Sequence, residues 1–489
     1  MMAALTGIEP KNLWRIFEGL CSVPHPSKKE EKIIAYIEKW ADSNGFEHEK
    51  DEVGNLVVRK PATKGMENRL PVCIQGHVDM VCVKNSDTEF DFDIQGIQPY
   101  IDGTWVKARG TTLGADNGIG VAMGMAVMES NDMPHPDIEL LCTLDEETGL
   151  TGAVGLSPNL LRAKVLINLD SEEWGHFTIG CAGGANAHGS FKYEAKPVCN
   201  CESDCKNYKL TVKGLRGGHS GIEIHEDRAN AVKLMTRLIY EAMEKFDICM
   251  TSIDGGDKHN AIPHECFAVV GVKPENEADF KAFVVKFFAD AKAEYTKREP
   301  GMLIMAEPCP TPARCMTKEF QTRFIKSLFA VPHGVYHWSP DIPGFPQTSV
   351  NCAIVKTEAD TIEILTSQRS SLESEKNDIS NKVKVILELG GATASIGDGY
   401  PSWPPNADSH ILSIGKEVYK GIYGKDAVIE AIHAGLECGL VGEKYPGMDM
   451  ISFGPNLEEV HTANERVDIP STEKCFHLVG ELLKNIPLK

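Results

Sequence analysis

The sequence predicts an α/β protein whose central mixed sheet is flanked by helices and interrupted by a large α+β insertion. Up to about residue 185, short apolar runs alternate with amphipathic helices, as in a largely parallel or mixed sheet covered on both faces. A different texture of alternating strands and helices follows, and the first texture returns from Gly397. We therefore divide the chain into 1–185, 186–396 and 397–489, and leave open whether the insertion holds two similar α+β units.

The first part begins with two helices. Leu13, Ile16, Phe17 and Leu20 recur at helical spacing and predict an amphipathic helix. Ser27-x-x-Glu30 matches a capping box, which predicts the start of a second helix. Apolar runs then predict strands at 54–58, 70–74, 138–144 and 165–169, and a small-residue helix at 119–128.

The insertion and the last third each have their own pattern. In the insertion we expect strands at 208–212, 267–272, 350–355 and 362–366, and helices at 229–246, 317–329 and 372–389. In the last third we expect helices at 410–423 and 471–485 and strands at 428–432 and 450–453.

Composition indicates a globular protein of ordinary enzyme size that does not have polyanions as its main partners. Of 489 residues, 42% are hydrophobic, and the formal net charge of -20 argues against nucleic acid and anionic membranes as partners. We find no signal peptide and no apolar run of the roughly 20 residues that span a bilayer. The 15 cysteines predict reduced thiols in a cytoplasmic protein, and we interpret the cluster Cys199, Cys201 and Cys205 as a plain loop.

Acidic and imidazole side chains follow the predicted strands. In Cys73–Asp79, His77 and Asp79 are two residues apart and project to one side of an extended segment. This pattern is weak alone, but four more sites of this kind follow, at Asp116, Glu147, Asp170 and His461. Strand carboxyl ends gather the ligands of open α/β sheets. Two histidines and three carboxylates there suit a pair of divalent ions such as zinc, cobalt or manganese.

On these motifs the sequence resembles the M20 di-zinc metallopeptidases, most closely the group of bacterial aminoacyl-histidine dipeptidases. The resemblance covers nearly the whole chain and implies a zinc-peptidase-like catalytic domain interrupted by a lid about twice the usual length. It rests on the motifs G-H-V-D-M-V (76–81), L-G-A-D-N-G-I-G (113–120), D-E-E-T-G (145–149), N-L-D-S-E-E (168–173), R-G-G-H-S-G (216–221), H-N-A-I-P (259–263) and V-H-T-A-N-E-R (460–466).

The resemblance implies a role for each motif residue near the metals. Asp116 would bridge two ions, with His77 and Asp170 completing one ligand shell and Glu147 and His461 the other. The peptide bond after Asp116 matches a cis bond of the family. Asp79 would fix the tautomer of His77, and Glu146 would act as general base on the water that bridges the ions. From the residues alone, Asp116 could equally be a helix N-cap, and residues 145–147 a solvated acidic turn.

The resemblance also implies substrate-binding residues in the lid and the last third. His219 would stabilise the oxyanion, in cis or through a partner subunit, and Asn260 would bind the same end of the substrate. Arg369 is placed to clamp a C-terminal carboxylate, to which Gly435 would offer backbone N–H groups. A turn at His219 and a solvated surface arginine remain the alternatives, and a homodimer stays open.

We therefore expect a cytosolic metallodipeptidase that cleaves dipeptides with a free carboxylate, Xaa-His and carnosine among them, using two ions, zinc first. An aminoacylase-type amidase or an aminotripeptidase on the same scaffold is the first alternative. A metal-bound scaffold protein without turnover is the second.

Overall fold

The computed structural model describes residues 4–197, 205–397 and 399–489, so Cys199 and Cys201 lie outside the described residues. The chain divides into two compact units. Unit 1 comprises the chain up to Gly180, Pro405–Ala431 and Leu436–Lys489, and unit 2 comprises Cys181–Pro404 and Ile432–Gly435. The sequence gives no sign of the short return of the chain to unit 2 at residues 432–435.

In the described residues, helices and strands are numbered in chain order. The helices are α1 (Lys11–Cys21), α2 (Glu31–Asn44), α3 (Ala115–Glu129), α4 (Glu146–Gly149), α5 (Thr151–Gly155), α6 (Ala231–Lys245), α7 (Glu277–Glu294), α8 (Lys318–Ala330), α9 (Glu373–Leu389), α10 (His410–Tyr423), α11 (Glu437–Lys444) and α12 (Ile469–Asn485). The strands are β1 (Glu47–Lys50), β2 (Leu56–Lys60), β3 (Val72–His77), β4 (Pro99–Asp102), β5 (Trp105–Ala108), β6 (Ile138–Thr143), β7 (Val165–Asn168), β8 (His176–Cys181), β9 (Gly183–Lys192), β10 (Ala195–Pro197), β11 (Lys206–Lys213), β12 (Cys249–Gly255), β13 (Cys266–Val272), β14 (Leu303–Pro308), β15 (Arg314–Met316), β16 (Gly334–Trp338), β17 (Pro346–Thr357), β18 (Thr361–Ser370), β19 (Thr393–Ile396), β20 (Val428–Ile432), β21 (Asp449–Ser452), β22 (Leu457–Glu458) and β23 (Arg466–Asp468).

The main sheet of unit 1 is mixed, with the order β1-β2-β6-β3-β7-β21-β8-β20. Its centre is parallel, because β3 pairs in parallel with β6 and β7, and β21 with β7. Every residue of β3, β6 and β7 is buried, which explains their continuous apolar runs. The predicted α/β fold with a mixed sheet and a large insertion is therefore confirmed.

Helix α3 packs unusually close to this sheet. The helix is apolar on all sides, and nearly all of its residues are buried. A Cβ atom at Gly124 would lie 2.5 Å from Leu140 Cδ1 on β6, so a larger residue there would push the Leu140 side chain aside. The close packing fixes the start of α3, which carries Asp116, relative to the strand ends.

Unit 2 repeats one topology twice. The segments β11-α6-β12-β13-α7-β14 form a β-α-β-β-α-β motif whose strands lie in the order β14-β11-β13-β12. The segments β9, α8, β17, β18, α9 and β19 form the same motif, in the order β17-β18-β9-β19. Strands β12 and β17 are neighbours and join the two halves into one sheet through the pair Gly255 and Val355. The first motif is thus inserted into the second, between β9 and α8.

The predicted capping box is wrong. Helix α2 begins at Glu31, one residue after the predicted box, and its N-cap makes no side-chain hydrogen bond. Ser27 Oγ instead donates to Asp79 Oδ2 at 2.8 Å, and Glu30 Oε1 accepts from the backbone N–H of Asp145 at 3.1 Å. Glu30 Oε1 also accepts from the backbone N–H of Lys28 at 2.7 Å, so the reciprocal bonds of a capping box are replaced by other partners, two of them distant in the sequence. None of the helices in the described residues is long and apolar enough to cross a membrane.

Candidate active site

Five predicted ligands in unit 1 converge on two adjacent positions. His77 Nε2 lies 3.0 Å from Asp116 Oδ1 and 3.5 Å from Asp170 Oδ1. His461 Nε2 lies 3.2 Å from Asp116 Oδ2 and 3.0 Å from Glu147 Oε2. The two oxygens of Asp116 therefore face two different groups of ligands, as a bridging carboxylate would. The bond between Asp116 and Asn117 is cis.

These separations suit two metal ions. Two ligands bonded to one tetrahedral zinc at about 2.0–2.1 Å lie roughly 3.3 Å apart, close to the nitrogen–oxygen distances in both groups. Moreover, Glu147 Oε1 and Asp170 Oδ1 are buried and lack a hydrogen-bond partner. Buried carboxylate oxygens without donors are costly unless a cation meets them. The donor set thus fits a pair of divalent ions.

The electrostatics of the cluster also require added positive charge. Burial alone lowers the pKa of His77, but the carboxylates of Asp170 and Asp116 outweigh burial and raise it well above its usual range. Hydrogen bonds to Asp116 and Glu147 raise the pKa of His461 to about 11. The negative charge of these carboxylates, which would hold a proton on each imidazole, also favours a divalent cation in place of the proton.

The ligands come from the carboxyl ends of strands and from loops beside them. His77 ends β3, and Glu147 and Asp170 follow β6 and β7. Gly76 leaves room for Asn117, whose Oδ1 would lie 2.2 Å from a Cβ atom there. His461 stands in a loop with a left-handed φ of 63°, a strained conformation for a non-glycine residue that is often found at functional sites.

Asp79 braces two parts of the centre. His77 Nδ1 lies 3.1 Å from the backbone oxygen of Asp79 and 3.3 Å from its Oδ1, so Nδ1 carries the proton and Nε2 is left to bind a metal. Asp79 also accepts hydrogen bonds from the backbone N–H of Glu146 at 3.0 Å and from Ser27. The carboxylate therefore orients both a ligand and the loop that carries the predicted base.

Glu465 holds the start of α3, a role that sequence reasoning missed. Its buried carboxylate accepts hydrogen bonds from the backbone N–H groups of residues 113–116 at 2.7, 3.1, 2.8 and 3.3 Å. It lies four residues after His461, inside the quoted V-H-T-A-N-E-R motif. No local signal could have paired it with a helix some 350 residues earlier in the chain.

Glu146 and Glu437 are the remaining acids of the centre. Burial raises the pKa of Glu146 to about 9, and the charges of Asp170, Glu437 and Glu147 add to the shift. Glu437, which the sequence analysis also missed, is 1% exposed and accepts from Gln75 Nε2 at 2.6 Å and Thr143 Oγ1 at 2.7 Å. Burial beside other carboxylates thus raises the affinity of Glu146 for a proton.

In unit 2, His219 is set up as a neutral hydrogen-bond donor. The backbone N–H groups of Gly221 and Ile222 donate to His219 Nδ1 at 3.2 and 3.0 Å, so the ring proton resides on Nε2. Burial and the charge of Arg369 lower the pKa of His219 to about 4. A neutral imidazole with an Nε2–H group can donate to an oxyanion near neutral pH.

Arg369 lies in the same cluster. It is 6% exposed, its Nη1 donates to the Tyr400 hydroxyl at 2.6 Å, and its buried Nε has no partner. Burial and the Arg369 charge lower the pKa of His433 to about 3. A buried guanidinium surrounded by neutral imidazoles needs an anion, and a carboxylate matches its donor geometry.

The other two predicted residues of unit 2 lie in loops of the same cluster. The backbone oxygen of Asn260 accepts from the N–H of Ser220 at 2.8 Å, which ties its loop to that of His219. Gly435 lies against the Tyr400 ring, because a Cβ atom at this position would come within 2.8 Å of Tyr400 Cε2.

Comparisons with known proteins identify relatives of the chain. The M20 family's peptidase dimerisation domain matches residues 210–299. The cytosol non-specific dipeptidase of Escherichia coli (strain K12) is 41% identical over 488 residues, which cover 100% of both chains.

Solved structures give the same result. The crystal structure of aminoacylhistidine dipeptidase from Vibrio alginolyticus has a TM-score of 0.94 and 41% identity, covering 99% of this chain and 98% of that one. The aminopeptidase PepT of Bacillus cereus shares the fold at a TM-score of 0.56 and 17% identity, covering 98% and 99%.

Proposed function

The chain belongs to the M20 peptidase family, and from that premise we propose that it is a cytosolic two-metal dipeptidase acting on dipeptides with a free C-terminal carboxylate. The observation that carries the proposal is the pair of ligand groups that share Asp116. Two full-length relatives at 41% identity are both named as dipeptidases, one non-specific and one for aminoacyl-histidine. We therefore expect Xaa-His dipeptides, carnosine among them, to be substrates.

Five residues of unit 1 would hold the two ions that the proposed hydrolysis needs. Two divalent ions, zinc in our proposal, supply Lewis-acid polarisation of the scissile carbonyl and acidify water when bound by His77, Asp116, Glu147, Asp170 and His461. Asp79 keeps the proton of His77 on Nδ1, which leaves Nε2 as the metal ligand.

Glu146 moves the protons of the reaction. Its carboxylate accepts a proton from the attacking water, whose oxygen forms the new bond to the carbonyl carbon. The same proton passes to the amine nitrogen as the peptide bond breaks, so that one water yields one carboxylic acid and one amine. The bond from the N–H of Glu146 to Asp79 supports this role, because it fixes the backbone of the base.

Unit 2 recognises the substrate. We propose that His219 Nε2–H donates a hydrogen bond to the developing oxyanion and that Asn260 binds the same end of the substrate. Arg369 would bind the C-terminal carboxylate of the substrate, with Gly435 beside it. The buried, unpaired Nε of Arg369 supports the carboxylate assignment. Without a bound carboxylate, the buried positive charge of Arg369 would lack a negative partner.

The test combines a substrate panel with a variant. Metal-stripped protein receives zinc, cobalt or manganese and is assayed on carnosine, Ala-His, Leu-Gly, a tripeptide and N-acetyl amino acids. Metal-dependent cleavage confined to dipeptides supports the proposal. Cleavage of N-acetyl amino acids or of the tripeptide instead would assign the chain to an amidase or a tripeptidase.

The variant Glu146→Gln separates catalysis from metal binding. Loss of a proton-transfer group lowers kcat by about 10²–10⁴-fold, whereas metal content should stay at the wild-type value. Glu173→Gln is the matched control, because Glu173 is exposed and forms an ion pair with the half-buried His176 at 3.1 Å. Wild-type turnover by Glu146→Gln would refute the assignment of the base.

A homodimer also stays a prediction. The match of residues 210–299 to a dimerisation domain supports it. Sedimentation equilibrium of the full chain tests it.

A further inference from the structure

Four residues of unit 2 form one row across its sheet. Ser349 on β17 is paired with Arg369 on β18, Arg369 with Gly184 on β9, and Gly184 with Tyr400. Paired residues on neighbouring strands point to the same face of a sheet. The side chains of Arg369 and Tyr400 therefore share one face, with Gly184 between them.

The glycine in the middle of the row lets the outer two side chains meet. Neighbouring strands lie about 4.8 Å apart, so Arg369 and Tyr400 are separated by roughly 10 Å at the backbone. Arg369 Nη1 nevertheless reaches the Tyr400 hydroxyl at 2.6 Å, across the space that Gly184 leaves open. A Cβ atom on Gly184 would lie 2.6 Å from two carbons of the Tyr400 ring.

Tyr400 itself is held firmly in place. Its backbone exchanges two hydrogen bonds with Gly184, at 3.0 and 3.1 Å, and its carbonyl oxygen accepts from Lys376 Nζ at 2.8 Å. Gly435 packs against the other edge of the ring, where a Cβ atom would come within 2.8 Å of Cε2. The hydroxyl is thus a fixed acceptor for a long and otherwise mobile side chain.

We propose that Tyr400 is a positioning residue for carboxylate recognition: its hydroxyl holds the Arg369 guanidinium so that the remaining N–H groups face the substrate carboxylate. This inference rests on the proposed function of Arg369. Bidentate binding needs the planar guanidinium in one orientation, and a rotamer fixed before binding saves the cost of ordering it on binding. In the part of the chain that the structure describes, no carboxylate pairs with Arg369. The Tyr400 hydroxyl is therefore not duplicated by an ion pair that would hold the guanidinium.

Tyr400→Phe removes only the hydroxyl and provides the test. KM for Ala-His should rise about tenfold, because a hydrogen bond to a charged group is lost, while kcat changes less than threefold. KM for Ala-His amide, which has no carboxylate for Arg369 to bind, should change less than twofold. Tyr193→Phe is the matched control: it deletes another buried tyrosine hydroxyl of unit 2, bonded to the Thr251 carbonyl at 2.7 Å, and should leave both KM values unchanged.

A double-variant cycle isolates the route through Arg369. In an Arg369→Met background, Tyr400→Phe should change KM for Ala-His less than twofold, because the group that it positions is gone. Equal effects of Tyr400→Phe on acid and amide, or a full tenfold effect in the Arg369→Met background, would overturn the inference. A wild-type enzyme that does not prefer the acid over the amide would instead overturn the proposed role of Arg369 itself.

Discussion

Replacing Glu465 by glutamine tests how the metal centre is held together. The two carboxylate oxygens of Glu465 each accept two backbone N–H groups from residues 113–116, directly before and at the bridging ligand. Glutamine keeps one oxygen and places an NH₂ group against the other two donors. The variant therefore loses two hydrogen bonds and leaves two N–H groups facing a donor.

The expected loss is a few kcal/mol. A hydrogen bond to a charged group contributes about 1.5–3 kcal/mol, but one of the two bonds to Oε1 is long at 3.3 Å. Burial raises the pKa of Glu465, so the neutral amide also regains part of the cost of burying a charge. We expect a net loss of about 3 kcal/mol in the loop that carries Asp116, which corresponds to roughly a hundredfold weaker metal binding.

Competition with a chromophoric chelator measures this affinity, and thermal unfolding of the metal-free protein measures stability. Glu458→Gln is the control from the same segment. Glu458 is half exposed and pairs with Arg466, so its loss should cost at most about 1 kcal/mol. Metal affinity within twofold of wild type in Glu465→Gln would refute the idea that this carboxylate positions Asp116.

Two further predictions concern other groups. Asp79→Asn should weaken metal binding about 10–100-fold, because His77 and the loop of Glu146 lose the carboxylate that orients them; an unchanged affinity in chelator competition would contradict that role. Burial and Arg369 lower the pKa of His433 from 6.5 to about 3, so the unfolded chain binds the proton first and stability falls as pH drops from about 6.5 towards 3. Because of His433, urea unfolding should show about 2 kcal/mol less stability at pH 5 than at pH 7.5. His433→Asn should remove that part of the difference. An equal pH dependence of stability in the variant would count against this contribution of His433.

Three of the proposed metal ligands were partly predictable because their signals are local. His77, Glu147 and Asp170 each follow an apolar run that could only be a buried strand, and the ends of parallel strands meet at one edge of a sheet. The side chains of the adjacent acids Glu146 and Glu147 were expected to point in different directions, since consecutive residues of a turn do so. The strand ends thus gave candidate positions, and the resemblance to the M20 family gave the ligand set.

Four further residues that support the cluster, Ser27, Glu30, Glu437 and Glu465, were not predictable, because their partners are distant in the sequence. Ser27 and Glu30 match a capping box, yet their side chains bind Asp79 and the N–H of Asp145, which lie 52 and 115 residues away. A local hydrogen bond contributes about 1 kcal/mol, and a buried carboxylate that needs donors outweighs it. Glu437 and Glu465 likewise act on strand ends and a helix start hundreds of residues away.

The repeated topology of unit 2 explains how His219 and Arg369, the proposed substrate-binding residues, come to lie in one cluster. His219 follows β11 in the first motif, whereas Arg369 lies on β18 in the second. Gly221 lies next to both the His219 ring and the carbonyl oxygen of His433, and His433 Nε2 lies 2.7 Å from Ser349 Oγ, the neighbour of Arg369 in the row across the sheet. Two motifs fused through β12 and β17 therefore bring these groups together within a single unit. One β-α-β-β-α-β motif alone would contain only one of the two residues, His219 or Arg369.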